Sequence, residues 1–80
     1  MGFKKNLGKL LNEPTEMHIN DVCNILVRCG YKLRSIEGSH YHFTHKTWLK
    51  ITIPSHNKKV TKYYLKNIKK IIMPLLQTII

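Results

Sequence analysis

His40 and His42 stand two residues apart in Gly38-Ser39-His40-Tyr41-His42-Phe43, a run that reads as a tight turn entering a β-strand. Side chains alternate along a strand, so His40, His42 and Thr44 share one face and Tyr41, Phe43 and His45 the other. The aromatic set must face the core. That leaves His40 and His42 on the open face with Lys50 and Thr52, which alternate with Leu49, Ile51 and Ile53 in the next apolar run. Imidazoles exchange protons near neutral pH, and RNA carries its own nucleophile. A base that removes the 2′-OH proton lets this oxygen attack the adjacent phosphorus. His40 suits that step, and His42, ~6.5–7 Å along the strand, can protonate the leaving 5′-oxygen. Lys50, or a lysine near the last helix, can stabilise charge on the phosphorane. DNA lacks the 2′-OH, so this chemistry predicts specificity for RNA.

Other chemistries fit the residues less well. Magnesium-dependent phosphodiesterases need clustered hard oxygen ligands, whereas Glu13, Glu16, Asp21 and Glu37 are scattered over the N-terminal half. His40 and His42 lack a third ligand at metal-binding spacing, and Ser39 lacks an orienting acid for nucleophilic catalysis. No metal or cofactor is expected. Cys23 and Cys29, six apart, match neither a zinc knuckle nor a redox pair and read as reduced, packed thiols of a cytosolic protein. Exposed histidines are also common as ordinary surface residues.

The charge distribution favours a polyanionic partner. Eighty residues carry 14 Lys and Arg against 4 Asp and Glu, a net charge of +10. Residues 1–38 hold six cations and four acids, whereas residues 39–80 hold eight lysines and no acid. Nucleic acid is the commonest polyanion for a small basic domain, although a lysine-biased composition gives the same count. A chain this short buries only ~60% of its unfolded surface around one core, which excludes a multidomain enzyme and a channel. No signal peptide or membrane-spanning run is present, and Asn6 stands where a myristoylation site wants Ser or Thr, so a cytoplasmic location without membrane attachment is expected.

The elements that must position these residues follow from periodicity. Phe3 to Leu11 is a short amphipathic helix ended by Glu13-Pro14-Thr15. Ile19, Val22, Leu26 and Cys29 fall at helical spacing in a second helix stopped by Gly30. Tyr31–Glu37, His40–His45 and Trp48–Ile53 read as three strands joined by short turns, with Ser55-His56-Asn57 as a loop. Val60 to Met73 returns to helical period, Pro74 interrupts it, and an apolar tail follows. The expected fold is α+β in the order α-α-β-β-β-α, a three-stranded antiparallel sheet with helices packed on one face. Residues 1–80 form a single domain, with an N-terminal helix extension over 1–14, a core over 18–73 and the tail over 74–80.

Gly38-Ser39-His40, an aromatic two residues after Tyr41, and the preceding Cys29-Gly30-Tyr31 resemble the HicA family of toxin endoribonucleases. Ile51-Thr52-Ile53-Pro54 is similar to that family's third strand, Ser55-His56-Asn57-Lys58-Lys59 to its basic loop, and Tyr64-Leu65-Lys66-Asn67-Ile68 to its last helix. The resemblance spans about residues 18–73, and Lys4 to Pro14 is similar to an N-terminal helix found in some members. It implies a fold related to double-stranded-RNA-binding domains, a catalytic role for His40, mRNA cleavage as the toxin of a type II toxin–antitoxin system, and a HicB-type antitoxin that covers the site. Lys58-Lys59-Val60-Thr61-Lys62 is similar to the phosphate-gripping Lys-Lys-x-Ala-Lys signature of double-stranded-RNA-binding domains, with threonine for alanine, or is simply a solvated lysine-rich helix start. Lys50, Lys58, Lys59 and Lys62 are the candidate RNA-binding residues, and His42 and Lys50 the candidate assistants of His40. Tyr63 departs from the family pattern, standing where many members have glycine.

Two other readings remain open at this stage. One is an RNA-binding module of the same fold without catalysis. The other is an adaptor that binds a partner, or a second copy of itself, through Leu75 to Ile80. Tyr31, Tyr41, Tyr63, Tyr64 and Trp48 are all capable of stacking on bases, and the sequence does not sort surface from core among them.

Overall fold

Apolar residues at helical spacing build α1 (Phe3–Leu11) and α2 (Ile19–Arg28), which cross over the same core. In the computed structural model the backbone is described for residues 2–79 and the side chains for residues 2–77. The α2 helix opens at His18, whose Nδ1 accepts from the Asn20 backbone N–H at 3.0 Å, a capping bond supplied here by an imidazole. Asp21 in its first turn and Arg28 in its last complement the helix dipole. Ile19, Val22, Ile25 and Leu26 are buried, and Gly30 ends the element at φ +98°, a conformation that L side chains resist. Helix α1 is part of the core, not an appendage. Leu7 and Leu10 are buried, and the buried Asn6 donates from Nδ2 to Asn24 Oδ1 at 3.0 Å.

Ahead of α2 lies β1 (Glu16–His18), and beyond it the chain forms β2 (Lys32–Glu37), β3 (His40–Thr44), β4 (Ile51–Pro54), β5 (Lys59–Thr61) and α3 (Lys62–Ile79). Strands β2, β3 and β4 form the expected antiparallel sheet in that order. A second sheet, unexpected from the sequence, pairs β1 with β5 through Glu16↔Thr61, Met17↔Val60 and His18↔Lys59. Three residues are too few to show a period, and only tertiary burial of Met17 and Val60 fixes these strands.

The third strand of the main sheet starts at Ile51, later than its apolar alternation predicts. Trp48 Nε1–H donates to the Ile71 carbonyl at 2.7 Å, and the Tyr31 hydroxyl donates to the Leu49 carbonyl at 2.6 Å. Those bonds hold residues 48 and 49 against α3 and the end of α2, so Leu49 is 60% exposed and does not join the core. Ile51 and Ile53 do.

The helix expected to stop at Pro74 continues through it to Ile79. Proline removes one N–H from the ladder, which weakens a helix without forbidding it where side-chain burial compensates. Ile72 and Leu76 supply that burial on the same core as Leu7 and Leu10, with Leu75 packed beside them. The segment read as a tail therefore packs on its own domain as far as residue 76, and the side chains of residues 78–80 lie outside the described residues. Among the described residues no helix is long and apolar enough to cross a membrane.

Candidate active site

Gly38 and Ser39 form a two-residue hairpin turn with Gly38 at φ +63°, the positive value that a type II′ turn takes at its first central position. The turn sets Glu37 opposite His40, and the register continues through Ile36↔Tyr41 and Ser35↔His42. On the other side, His40 faces Pro54 and His42 faces Thr52. Directly opposed residues share a face, so His40, His42, Glu37, Ser35 and Thr52 lie together on the side of the sheet away from the buried Phe43, Ile51 and Ile53.

His40 is exposed and has no hydrogen-bond or ion-pair partner among the described residues. His42 is half-buried and held from both sides. Its Nδ1 lies 3.2 Å from Thr52 Oγ1, and its Nε2 lies 3.5 Å from Glu37 Oε1 while being sealed from solvent. The Thr52 hydroxyl and Nδ1 share a hydrogen bond, and Nε2 faces the carboxylate without hydrogen-bonding it. Thr52 was placed on this face from sequence, whereas Glu37 was not among the site candidates. The signal for Glu37 was there, because a two-residue turn places the residue before it opposite the one after it and diagonal to the next on that face.

The lysines divide. Extending the β3–β4 register puts Lys50 level with Thr44, four residues or ~13 Å along the sheet from His40, so the two are not adjacent as expected. Lys58 sits in the loop after β4, at φ +63°, behind Asn57 at φ +52°. That loop is joined to the hairpin turn where the Ser55 N–H donates to the Ser39 carbonyl at 2.8 Å, which brings His56, Asn57 and Lys58 to the His40 end of the sheet. Lys59 is tied to Glu16 at 2.8 Å, and that hydrogen bond, then the charge of the carboxylate, raises its pKa. Lys62 is exposed at the start of α3.

Other candidates have structural roles. His45 Nε2 donates to the Cys29 carbonyl at 3.0 Å, and its Nδ1 accepts from the Thr47 N–H at 3.1 Å. Tyr31 is core, edge-on to His45 at 5.0 Å, and burial raises the pKa of its hydroxyl. Burial likewise pushes both thiols, Cys23 and Cys29, up, as befits packed, unreactive cysteines. No group of three or more His, Cys, Asp or Glu side chains among the described residues is placed to hold a metal ion.

The architecture is that of a small, strongly basic α+β domain whose main sheet displays a polar, histidine-bearing face. Residues 19–72, from the start of α2 into the fourth turn of α3, match the family model described as the HicA toxin of bacterial toxin-antitoxin systems. The chain belongs to the HicA toxin family, whose members are mRNA interferases and act with a cognate antitoxin. No curated protein and no solved structure matches the chain. The matched span contains His40, His42, Glu37 and all four candidate lysines, and leaves out α1, β1 and the turns of α3 beyond residue 72.

Proposed function

We propose that this protein is a metal-independent endoribonuclease that cleaves mRNA in the cytoplasm, with His40 as the acid–base residue and a HicB-type antitoxin covering the open sheet face. The observation that carries the reading is an exposed imidazole without an internal partner, first in its strand, beside a second imidazole that is held in a fixed orientation. His40 takes the proton from a 2′-OH as that oxygen attacks phosphorus. The bond to the 5′-oxygen breaks, His40 returns the proton it has taken to the leaving oxygen, and a 2′,3′-cyclic phosphate remains. His42, one strand position further along the same face and set between Thr52 and Glu37, is the assistant that helps to shape the polar surface on which the substrate lies.

Lys58, in the loop bonded to Ser39, supports binding of the phosphate nearest His40. Lys50 and Lys62 flank the path of the chain. Lys59 contributes to the same positive field while paired with Glu16.

The test is incubation of purified protein with RNA in excess EDTA, alongside His40→Ala. Cleavage by wild type alone, leaving 2′,3′-cyclic ends, is the expected result. Equal cleavage by His40→Ala would end the catalytic assignment. RNA binding without product from either protein would make the domain a non-catalytic RNA-binding module.

A further inference from the structure

Of the five aromatic residues that could stack on bases, the fold buries Tyr31, half-buries Tyr41 and Tyr64, and ties Trp48 to α3. Tyr63 is different. Its side chain is 73% exposed on the second residue of α3, and its ring stands edge-on to Tyr64 at 4.9 Å and 88°. It serves no core, yet it is held at a defined angle.

Tyr63 also lines an open groove of about 430 Å³ with Lys66, Lys70 and the exposed Met73. That volume is within the roughly 300–1,000 Å³ range of small-ligand sites. The one carboxylate on its margin, Glu13, pairs with Lys69 at 3.3 Å and also feels the charges of Lys66 and Lys62, while Lys70 has no ion-pair partner among the described residues. The groove therefore combines apolar surface with a net positive charge, Lys66, Lys69 and Lys70 against the single carboxylate of Glu13.

A second crevice lies beside the groove, the two sharing Asn67 in their lining. This small crevice between β4 and α3 is lined by Lys50, Thr52, Tyr64 and Asn67. Thr52 is the residue that hydrogen-bonds His42, and Tyr64 is the ring on which Tyr63 rests. Neighbouring contacts thus run from His42 to Thr52, from Thr52 to Tyr64 across the crevice, and from Tyr64 to Tyr63.

We infer that Tyr63, backed by Tyr64 and flanked by Lys62, Lys66 and Lys70, is a stacking subsite for an unpaired nucleotide, so that the substrate is gripped as single-stranded RNA. A free aromatic face beside a row of cations is what a single strand recognises, since every base has a π-face and every linkage a phosphate. A duplex keeps its bases stacked on each other and offers Tyr63 nothing. The inference rests on RNA being the ligand of the proposed nuclease, and it adds where and in what form the strand is held.

Binding can be read without cleavage by using fluorescently labelled 2′-O-methyl RNA, an unstructured octamer and a hairpin of the same composition, followed by anisotropy in EDTA. Wild type should prefer the octamer. Tyr63→Ala should weaken octamer binding roughly 5- to 100-fold while leaving hairpin binding within about twofold, and Tyr63→Phe should bind as wild type. The salt slope should be unchanged in Tyr63→Ala and shallower by ~0.7 in Lys66→Ala, because stacking releases no counterions and a lysine does. Octamer binding by Tyr63→Ala equal to wild type, or a wild-type preference for the hairpin, would overturn the inference. If binding depends on Tyr63 but no RNA is cleaved, the nuclease reading fails and the subsite stands. If cleavage depends on His40 but binding ignores Tyr63, the subsite fails alone.

Discussion

Gly30→Ala tests how the helical layer is locked to the far end of β3. Gly30 has φ +98°, and a Cβ built there would lie 2.7 Å from His45 Nε2 and 3.2 Å from its Cδ2. The left-handed backbone alone costs an alanine ~1–2 kcal/mol. Nor can the imidazole stay where it is, so its bond to the Cys29 carbonyl at 3.0 Å is lost, about 0.5–1.5 kcal/mol, along with its edge contact to Tyr31. A total near 2–4 kcal/mol is a large part of the ~4–12 kcal/mol expected for a domain of this size, and corresponds to a fall in Tm of roughly 10–25 °C. Urea unfolding followed by far-UV circular dichroism measures it, and a cycle with His45→Ala separates the parts. In the His45→Ala background the cost of Gly30→Ala should shrink to the backbone share of ~1–2 kcal/mol. Equal costs in the two backgrounds, within about 0.5 kcal/mol, would refute the steric argument.

Three further outcomes follow from particular contacts. Lys62→Ala should weaken RNA binding and lower its salt slope by ~0.7–0.9, whereas Lys59→Ala should change the slope less, because Glu16 already compensates that charge; titrations at several salt concentrations compare them. Lys69, by its hydrogen bond first and its charge second, holds the Glu13 pKa below its ordinary 4.5, so the stabilisation from this pair is complete above that value and is lost as pH falls through the depressed one. Acid unfolding of Glu13→Gln should lack that part of the pH dependence while matching wild type in shape elsewhere. Leu76→Ala should destabilise by roughly 2–4 kcal/mol in urea, because Leu76 is only 5% exposed beyond the proline of α3; a change below about 0.5 kcal/mol would mean the last turns are not docked.

Element types were legible wherever a period had room to show itself. The helical stripe of Ile19, Val22, Leu26 and Cys29 and the alternating Phe43, Ile51 and Ile53 are core in the structure, with Tyr41 half-buried against it, and the two-residue Gly38-Ser39 turn fixes the pairing of the first two strands. The short strands β1 and β5 were not legible, since three residues carry no period. Nor was the continuation of α3 past Pro74, because propensity at a proline argues for a stop and only the burial of Leu76 overrides it.

The site divides in the same way. Residue types and strand alternation by themselves determined that His40 and His42 share a polar face, that the C-terminal half is an unbroken field of positive charge, and that no acid cluster accompanies them. These are local properties, set by the geometry of one strand and by composition. Apart from Glu37, which the hairpin turn places, the contacts of each candidate side chain were decided by tertiary structure. Strand register moved Lys50 away from His40 and brought Glu37 and Thr52 to His42, helix packing left Tyr63 in solvent while burying Tyr31, and a cross-strand ion pair occupied Lys59. Such neighbours come from parts of the chain far apart in sequence, and their distances depend on register and packing that no local pattern encodes.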